Sequence, residues 1–395
     1  MTIAAEPRDV AKVSIWNDPK ARSIIVQVVV VALLALMAYE IIANTVANLR
    51  ALNKEFGFDF LTKTAGFDII QHLVEYSSSS NYGQALIVGF LNTVLISALG
   101  ILSATIIGLV VGIMRLSKNW LVSRVATVYI EFFRNIPLLL QIFFWYIFVV
   151  IQTLPAVKDA LNPLGIFYLS KKGFMMPKPI FGDGAWLGLV GFILAIFAIY
   201  FINRWAKARQ MATGQPFPVF WTSLALIIGL PLLGLAVTGF PLSWEVPKKT
   251  VFNFSGGLVV IPEMMALYLA ISIYTATYIA EAVRAGVQAV SHGQTEASYA
   301  LGLRPRSVLR LVVLPQALRV IIPPLASIYL SLTKNSSLAV GIGYPDLVAV
   351  GGTVLNQTGK AIEIVSVWMV VYLSLSLFTS LLMNWFNARM RLVER

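Results

Sequence analysis

Ser291-His292-Gly293-Gln294-Thr295-Glu296-Ala297-Ser298-Tyr299-Ala300-Leu301-Gly302-Leu303-Arg304-Pro305 is the polar stretch on which the reading of this chain turns. It lies between two apolar runs, 262–290 and 311–335, each long enough to cross a bilayer. Ser291 with Gln294 three residues on has the capping-box spacing, Thr295 to Leu301 favours a helix, and Gly302 stands where a left-handed terminal residue is wanted. The spacing therefore predicts a short helix of its own set across a turn. Ala297, Ser298 and Ala300 offer a low-relief surface for a partner to enclose, and Arg304, Arg306 and Arg310 follow with positive charge. Taken alone, the pattern also suits an ordinary capped basic loop.

The 395 residues are 58% hydrophobic and 12% charged, with mean hydropathy +0.80 and no cysteine. Soluble domains carry about 25% charged residues, so the composition is that of a membrane protein, and disordered, collagen-like and disulfide-stapled classes are excluded. The missing cysteines also remove thiolate metal sites and Cys nucleophiles. Further apolar runs lie near 23–49, 84–114, 121–154, 186–203, 219–240 and 362–387, giving about eight helices and an all-α polytopic fold. The 121–154 and 311–335 runs hold charges and prolines in their first halves, so each is expected to begin as an interfacial helix. Assigning basic residues to alternate sides puts 18 on one side and 10 on the other, with Arg134 and Lys334 in or beside spans. Both termini are therefore expected in the cytoplasm, although four lysines between 155 and 185 run against the rule. The net charge of +12 then reflects basic cytoplasmic loops, with no nucleic-acid partner expected.

Gly100, Ala104, Gly108 and Gly112 recur every four residues along one span, a stripe that lets a second backbone approach closely; a hinge or pore-lining role is the other reading. No nucleotide site is legible. Gly359-Lys360 lacks the earlier glycine, where Val354 stands, and the following Ser or Thr, where Ala361 stands. His72 and His292 lie in different loops, so no metal site is expected, and no catalytic triad has members at a common depth.

Glu296-Ala297-Ser298, Gly302 and, after nine intervening residues, Val312-Val313-Leu314-Pro315 resemble the EAA signature of ATP-binding-cassette importer permeases, E-A-A-x3-G-x9-I-x-L-P. Ser298 for the second Ala and Val312 for Ile are the departures. Tyr129 to Gln141, Tyr278 to Gly286, Leu314 to Arg319 and Ser331 to Leu338 are similar to the polar amino-acid permeases of the histidine and glutamine type. The layout looks like the larger permease subunits of proteobacterial general L-amino acid importers.

The resemblance implies a five-helix type I importer core from 84–154 and 261–388, an extra N-terminal helix at 23–49 and a two-helix insertion at 155–260. Residues 1–22 and 389–395 would be cytoplasmic tails and 50–83 a periplasmic loop, in a bacterial inner membrane. It further implies that 291–305 is a coupling helix for a dimeric ATPase, which would hold the ATP and Mg, through Gln294, Glu296, Ala297, Ser298, Gly302, Arg304 and Arg306. A second related permease and a periplasmic amino-acid-binding protein complete the expected assembly.

Lys334, with Asn335, Ser336 and Ser337, is the ionisable group least easily explained inside a span. It meets a substrate carboxylate, or it pairs with a neighbouring helix or snorkels to the outer interface. Asn92, Thr93, Ser97 and Gln141 are candidate pathway groups, with interhelical hydrogen bonding as the alternative. Glu131 with Arg134 and Glu281 with Arg284 are three apart and are read as local ion pairs with a structural or gating role. An ion-coupled secondary transporter or channel is the competing class, disfavoured because it would place several ionisable groups at mid-span.

Overall fold

The computed structural model describes residues 19–51 and 56–390. The expected cytoplasmic tails, 1–22 and 389–395, lie mostly outside the described residues, as do residues 52–55 of the 50–83 loop. In chain order the elements are α1 (Pro19–Ala51), α2 (Tyr82–Arg115), α3 (Trp120–Asn135), α4 (Leu138–Phe143), β1 (Tyr168–Ser170), β2 (Gly173–Met176), β3 (Lys178–Phe181), α5 (Trp186–Thr213) and α6 (Val219–Val237). There follow β4 (Leu242–Glu245), β5 (Lys248–Lys249), β6 (Phe254–Ser255), β7 (Leu258–Val260), α7 (Pro262–Gln288), α8 (His292–Ala300), α9 (Pro305–Val308), α10 (Leu314–Asn335), α11 (Leu347–Thr358) and α12 (Ala361–Met390). Among the described residues seven helices are long and apolar enough to cross a membrane, or eight if Trp120–Asn135 with Leu138–Thr153 is one bent span.

The bend has a local cause. Ile136 precedes Pro137 and is extended (φ −98°, ψ 128°), as a residue before proline must be, and the chain turns through 102° between α3 and α4. The second of the runs expected to begin at the interface has no such bend: Pro305–Ile342 is one helix of 38 residues. A π-helical turn, Leu309–Val313, lies two residues ahead of Pro315, and the rod continues through both. α5 runs on to Thr213, ten residues past the expected limit, and carries Arg204, Lys207 and Arg209 on its last turns.

α2, α7 and α10 form the centre, and the small-residue stripe is where α2 meets its neighbours. A Cβ on Gly108 would lie 2.6 Å from Ile279 Cβ, and one on Gly112 would lie 2.8 Å from Val283 Cβ. Ala104 is fully buried between them, while Gly100 faces Leu332 and Ile271 at ordinary distances of 3.5 Å and 3.6 Å. A second apolar cluster at the other end joins Phe60, Ala65 and Ile69 of the 50–83 segment to α2, α11 and α12.

The insertion departs from pure helix. β1, β2 and β7 form an antiparallel sheet, β3 pairs with β4, and β5 with β6. The chain before α5 thereby clasps the chain after α6.

Candidate functional site

α8 leaves α7 through Ala289–Ser291 and ends on Gly302, whose φ is +77°. Gly302 N–H donates to Tyr299 O (2.9 Å) and Leu303 N–H to Ser298 O (3.2 Å), the paired bonds of a left-handed helix terminus. Pro305 then starts α9. The capping box expected of Ser291 and Gln294 does not form: the helix begins at His292, and Ser291 makes no side-chain cap bond. Gln294 Oε1 is instead turned toward Gln316, accepting from its Nε2 at 3.4 Å.

Ser298 is also not part of the outer surface. It is buried, and its Oγ donates to Gln294 O at 2.6 Å, satisfying the hydroxyl inside the helix. Glu296, Ala297 and Ala300 are exposed, as are Arg304 and Arg306. Tyr299 (49% exposed) and Leu301 (82%) join that face. Sequence reasoning passed over both, although two large apolar side chains in a polar loop were the available signal.

Behind the loop, charges meet where α2, α3 and α7 converge. Arg115, at the end of α2, pairs with Glu281 of α7 and lies 3.7 Å from Glu131 of α3, while Glu281 also binds Arg284. Tyr129 of α3 donates to Ile273 O of α7 at 2.8 Å, fastening the same corner. The Glu281–Arg284 reading agrees with the geometry; the Glu131–Arg134 pair does not form, because Arg115 takes Glu131 and the Arg134 guanidinium lies 5.3 Å over the Tyr278 ring. Arg115 went unremarked as a site residue, since its partners are distant in sequence. Arg115→Gln and Glu281→Gln are expected to be non-additive by about 0.5–3 kcal/mol in a double-mutant cycle on thermal stability; additive losses would mean that the two do not act as a pair.

A cleft of about 340 Å³ opens between α7 and α10, lined by Tyr274, Thr275, Tyr278, Ser327, Ser331 and Asn335 among others. The Tyr274 and Tyr278 hydroxyls are 2.8 Å apart. Of the four residues from Lys334 to Ser337 only Asn335 lines it. Lys334 is exposed beside it, with no ion-pair partner among the described residues. Ser336 is buried and donates to Thr333 O, and Ser337 donates to Lys334 O.

Asn92, Thr93 and Gln141 do not line the cleft either. Gln141 Nε2 donates to Phe133 O (2.8 Å) and Ile136 O (3.0 Å), carbonyls that lose helical partners at the bend. Asn92 Nδ2 donates to Gln71 O and Pro345 O, and Thr93 Oγ1 accepts from Leu347 N–H at the start of α11. Asp346 caps the same helix by accepting from Ala349 N–H at 2.8 Å, and burial pushes its carboxyl up to about 7. These polar groups hold breaks and ends of helices together.

A family described as binding-protein-dependent transport system inner membrane component matches residues 209–392, which include α8 and its flanking helices. The chain is 55% identical to the general L-amino acid transport system permease protein AapQ of Rhizobium johnstonii, over 97% of this chain and 95% of that protein. It is 48% identical to the putative amino-acid ABC transporter permease protein YhdX of Escherichia coli, over 96% and 97%. Against the glutamate/glutamine/aspartate/asparagine transport system permease protein BztB of Rhodobacter capsulatus it is 42% identical over 96% of each chain.

Proposed function

The chain belongs to the binding-protein-dependent transport system inner membrane components, as an amino-acid ABC importer permease, and from that premise we propose that α8 is the seat on which a separate ATPase docks. ATP and Mg are bound and spent on that ATPase, a dimer, and this chain contributes no nucleotide site. Closure of the ATPase moves the 291–305 loop, which is continuous with α7 on one side and with the α9–α10 rod on the other. Both helices move with it, and the cleft between them opens alternately to the two faces of the membrane.

The observation that carries this reading is the shape of the loop. A nine-residue helix with a fixed terminus presents Glu296, Ala297, Tyr299, Ala300 and Leu301 outward, between the two helices that line the cleft. In this orientation α8 and both termini are cytoplasmic and the strand-bearing lobe is periplasmic. A second, related permease subunit faces this one, and a periplasmic binding protein delivers the substrate, a polar L-amino acid. Lys334 meets its carboxylate, and Asn335 with the hydroxyls of the cleft meets its polar remainder. Arg115, Glu131, Glu281 and Arg284 hold α2 and α3 to the moving end of α7.

The test is uptake of labelled amino acids into vesicles holding both permeases and the ATPase, with binding protein on the outer side. Uptake is expected to require ATP on the ATPase side and to stop when it is removed. Uptake that persists without ATP and follows an ion gradient would overturn the reading in favour of a secondary transporter.

A further inference from the structure

The lobe built from 155–185 and 238–261 is mounted on the transport core itself. β2 pairs with β7 (Phe174 opposite Val260), and β7 stops at Val260, two residues before Pro262 opens α7. Lys171 N–H donates to Pro155 O at 2.9 Å, closing the lobe against the end of the bent span, whose last segment, Phe144–Thr153, is π-helical. It therefore stands on the periplasmic end of a helix that lines the cleft.

Its surface is basic. Lys158, Lys171, Lys172, Lys178, Lys248 and Lys249 are all exposed, against the carboxylates Asp159, Asp183 and Glu245. Lysines here oppose the charge distribution that orients a membrane protein, so topology does not account for them. Lys158, Lys172, Lys248 and Lys249 lie about an apolar tip. The β5–β6 hairpin presents Val251 (76% exposed) and Phe252 (82%), Lys172 Nζ donates to Phe252 O at 3.1 Å, and Lys249 Nζ donates to Lys158 O at 2.7 Å. An exposed aromatic anchor rimmed by charge has the anatomy of a docking surface.

We propose that this lobe is a docking platform for the periplasmic binding protein, engaging an acidic face of it that surrounds an apolar recess. The inference rests on the importer reading. The position of the lobe above α7 places it beside the mouth into which the binding protein must release its substrate. Its charge would speed encounter and set orientation in a salt-dependent way.

The experiment uses the assembled complex in lipid nanodiscs, titrated with purified binding protein, and compares wild type with a triple variant, Lys172→Glu, Lys248→Glu and Lys249→Glu. Wild-type docking is expected to weaken as salt rises. The triple variant is expected to dock about ten-fold more weakly or worse, with uptake reduced at low binding protein, restored at saturating binding protein, and basal ATPase activity unchanged. Assembly is checked by size exclusion; should the Glu triple fail to assemble, the Lys→Gln triple and Phe252→Ser decide by the same titration. Unchanged docking with unchanged salt dependence overturns the proposal. So does a variant that docks normally but loses binding to anionic vesicles, which would make the lobe a lipid contact. A wild-type complex that engages no binding protein and imports nothing would instead overturn the importer reading, and this inference with it.

Discussion

Gly302→Val is expected to cut ATP-driven uptake about 5–30-fold while the chain still inserts and assembles. The cost is confined to the backbone: a Cβ at Gly302 would meet nothing within 4 Å, so crowding plays no part. What an L residue loses there is about 1–2 kcal/mol for holding a left-handed conformation, more for a β-branched one, and 1–2 kcal/mol is roughly a factor of 5–30 in population. A helix of nine residues has little of its own to set against that. Once the terminus unwinds, the bonds from Gly302 and Leu303 are lost and Leu301 no longer has a fixed place. Gly302→Asn is the control, since Asn tolerates the left-handed region, and it is expected to retain most activity. Glu296→Lys tests the face rather than the fold of α8: the helix is expected to remain and uptake to fall. Near-normal uptake from both Gly302→Val and Glu296→Lys would remove α8 from the coupling path.

Gly302 was legible as a helix terminus because that chemistry is local, whereas Glu296 stood out only through the resemblance to the EAA signature. Gly302 declares a helix terminus through turn preference alone, and Glu296 faces solvent, as an isolated carboxylate in a polar helix should. The spans were legible for a similar reason, since hydropathy needs no partner to be read, and Pro137 marked the bend. Interactions between distant segments were not. Spacing by three joined Glu131 to Arg134, but the charge that reaches Glu131 comes from Arg115 on another helix. Asn92, Thr93 and Gln141 are polar residues in apolar runs, and spacing does not tell a pathway group from one that rescues an orphaned carbonyl or N–H. The strand lobe was hidden because its halves lie on either side of α5 and α6. The cleft left a trace that went unread: Tyr274 with Tyr278, and Ser327 with Ser331, recur at four residues, each pair marking one helix face.

Within this architecture one helix joins both ends of the proposed mechanism. α7 begins at the lobe, lines the cleft with Tyr274, Thr275 and Tyr278, carries Glu281 at the charged corner and runs into α8. In the proposed mechanism a displacement of α8 would pass to the cleft through α7, and α2 would follow α7 only where the two are tightly packed.

Gly108→Leu is therefore expected to be the most damaging single change in the core. α2 approaches α7 so closely that a Cβ at Gly108 would sit 2.6 Å from Ile279 Cβ and 2.9 Å from Ala276 O, the latter a backbone atom that no side-chain rotation relieves. Overpacking typically costs about 1–3 kcal/mol for added methylenes, and here the first added carbon already collides, so the helices must separate along the stripe. Separation would also pull Gly112 from Val283 and draw Arg115, one turn farther on, away from Glu281. Gly100→Ala supplies the contrast on the same face: its Cβ would find Leu332 at 3.5 Å, an ordinary contact, and stability should hardly change. The measurement is the fraction of complex that stays monodisperse in mild detergent after heating. A steep loss for Gly108→Leu with none for Gly100→Ala would locate the tight seam of the permease at the half of α2 nearest the coupling loop. Equal tolerance at both positions would show that α2 and α7 are not packed as described, and with that the rigid transmission through α7 would fall.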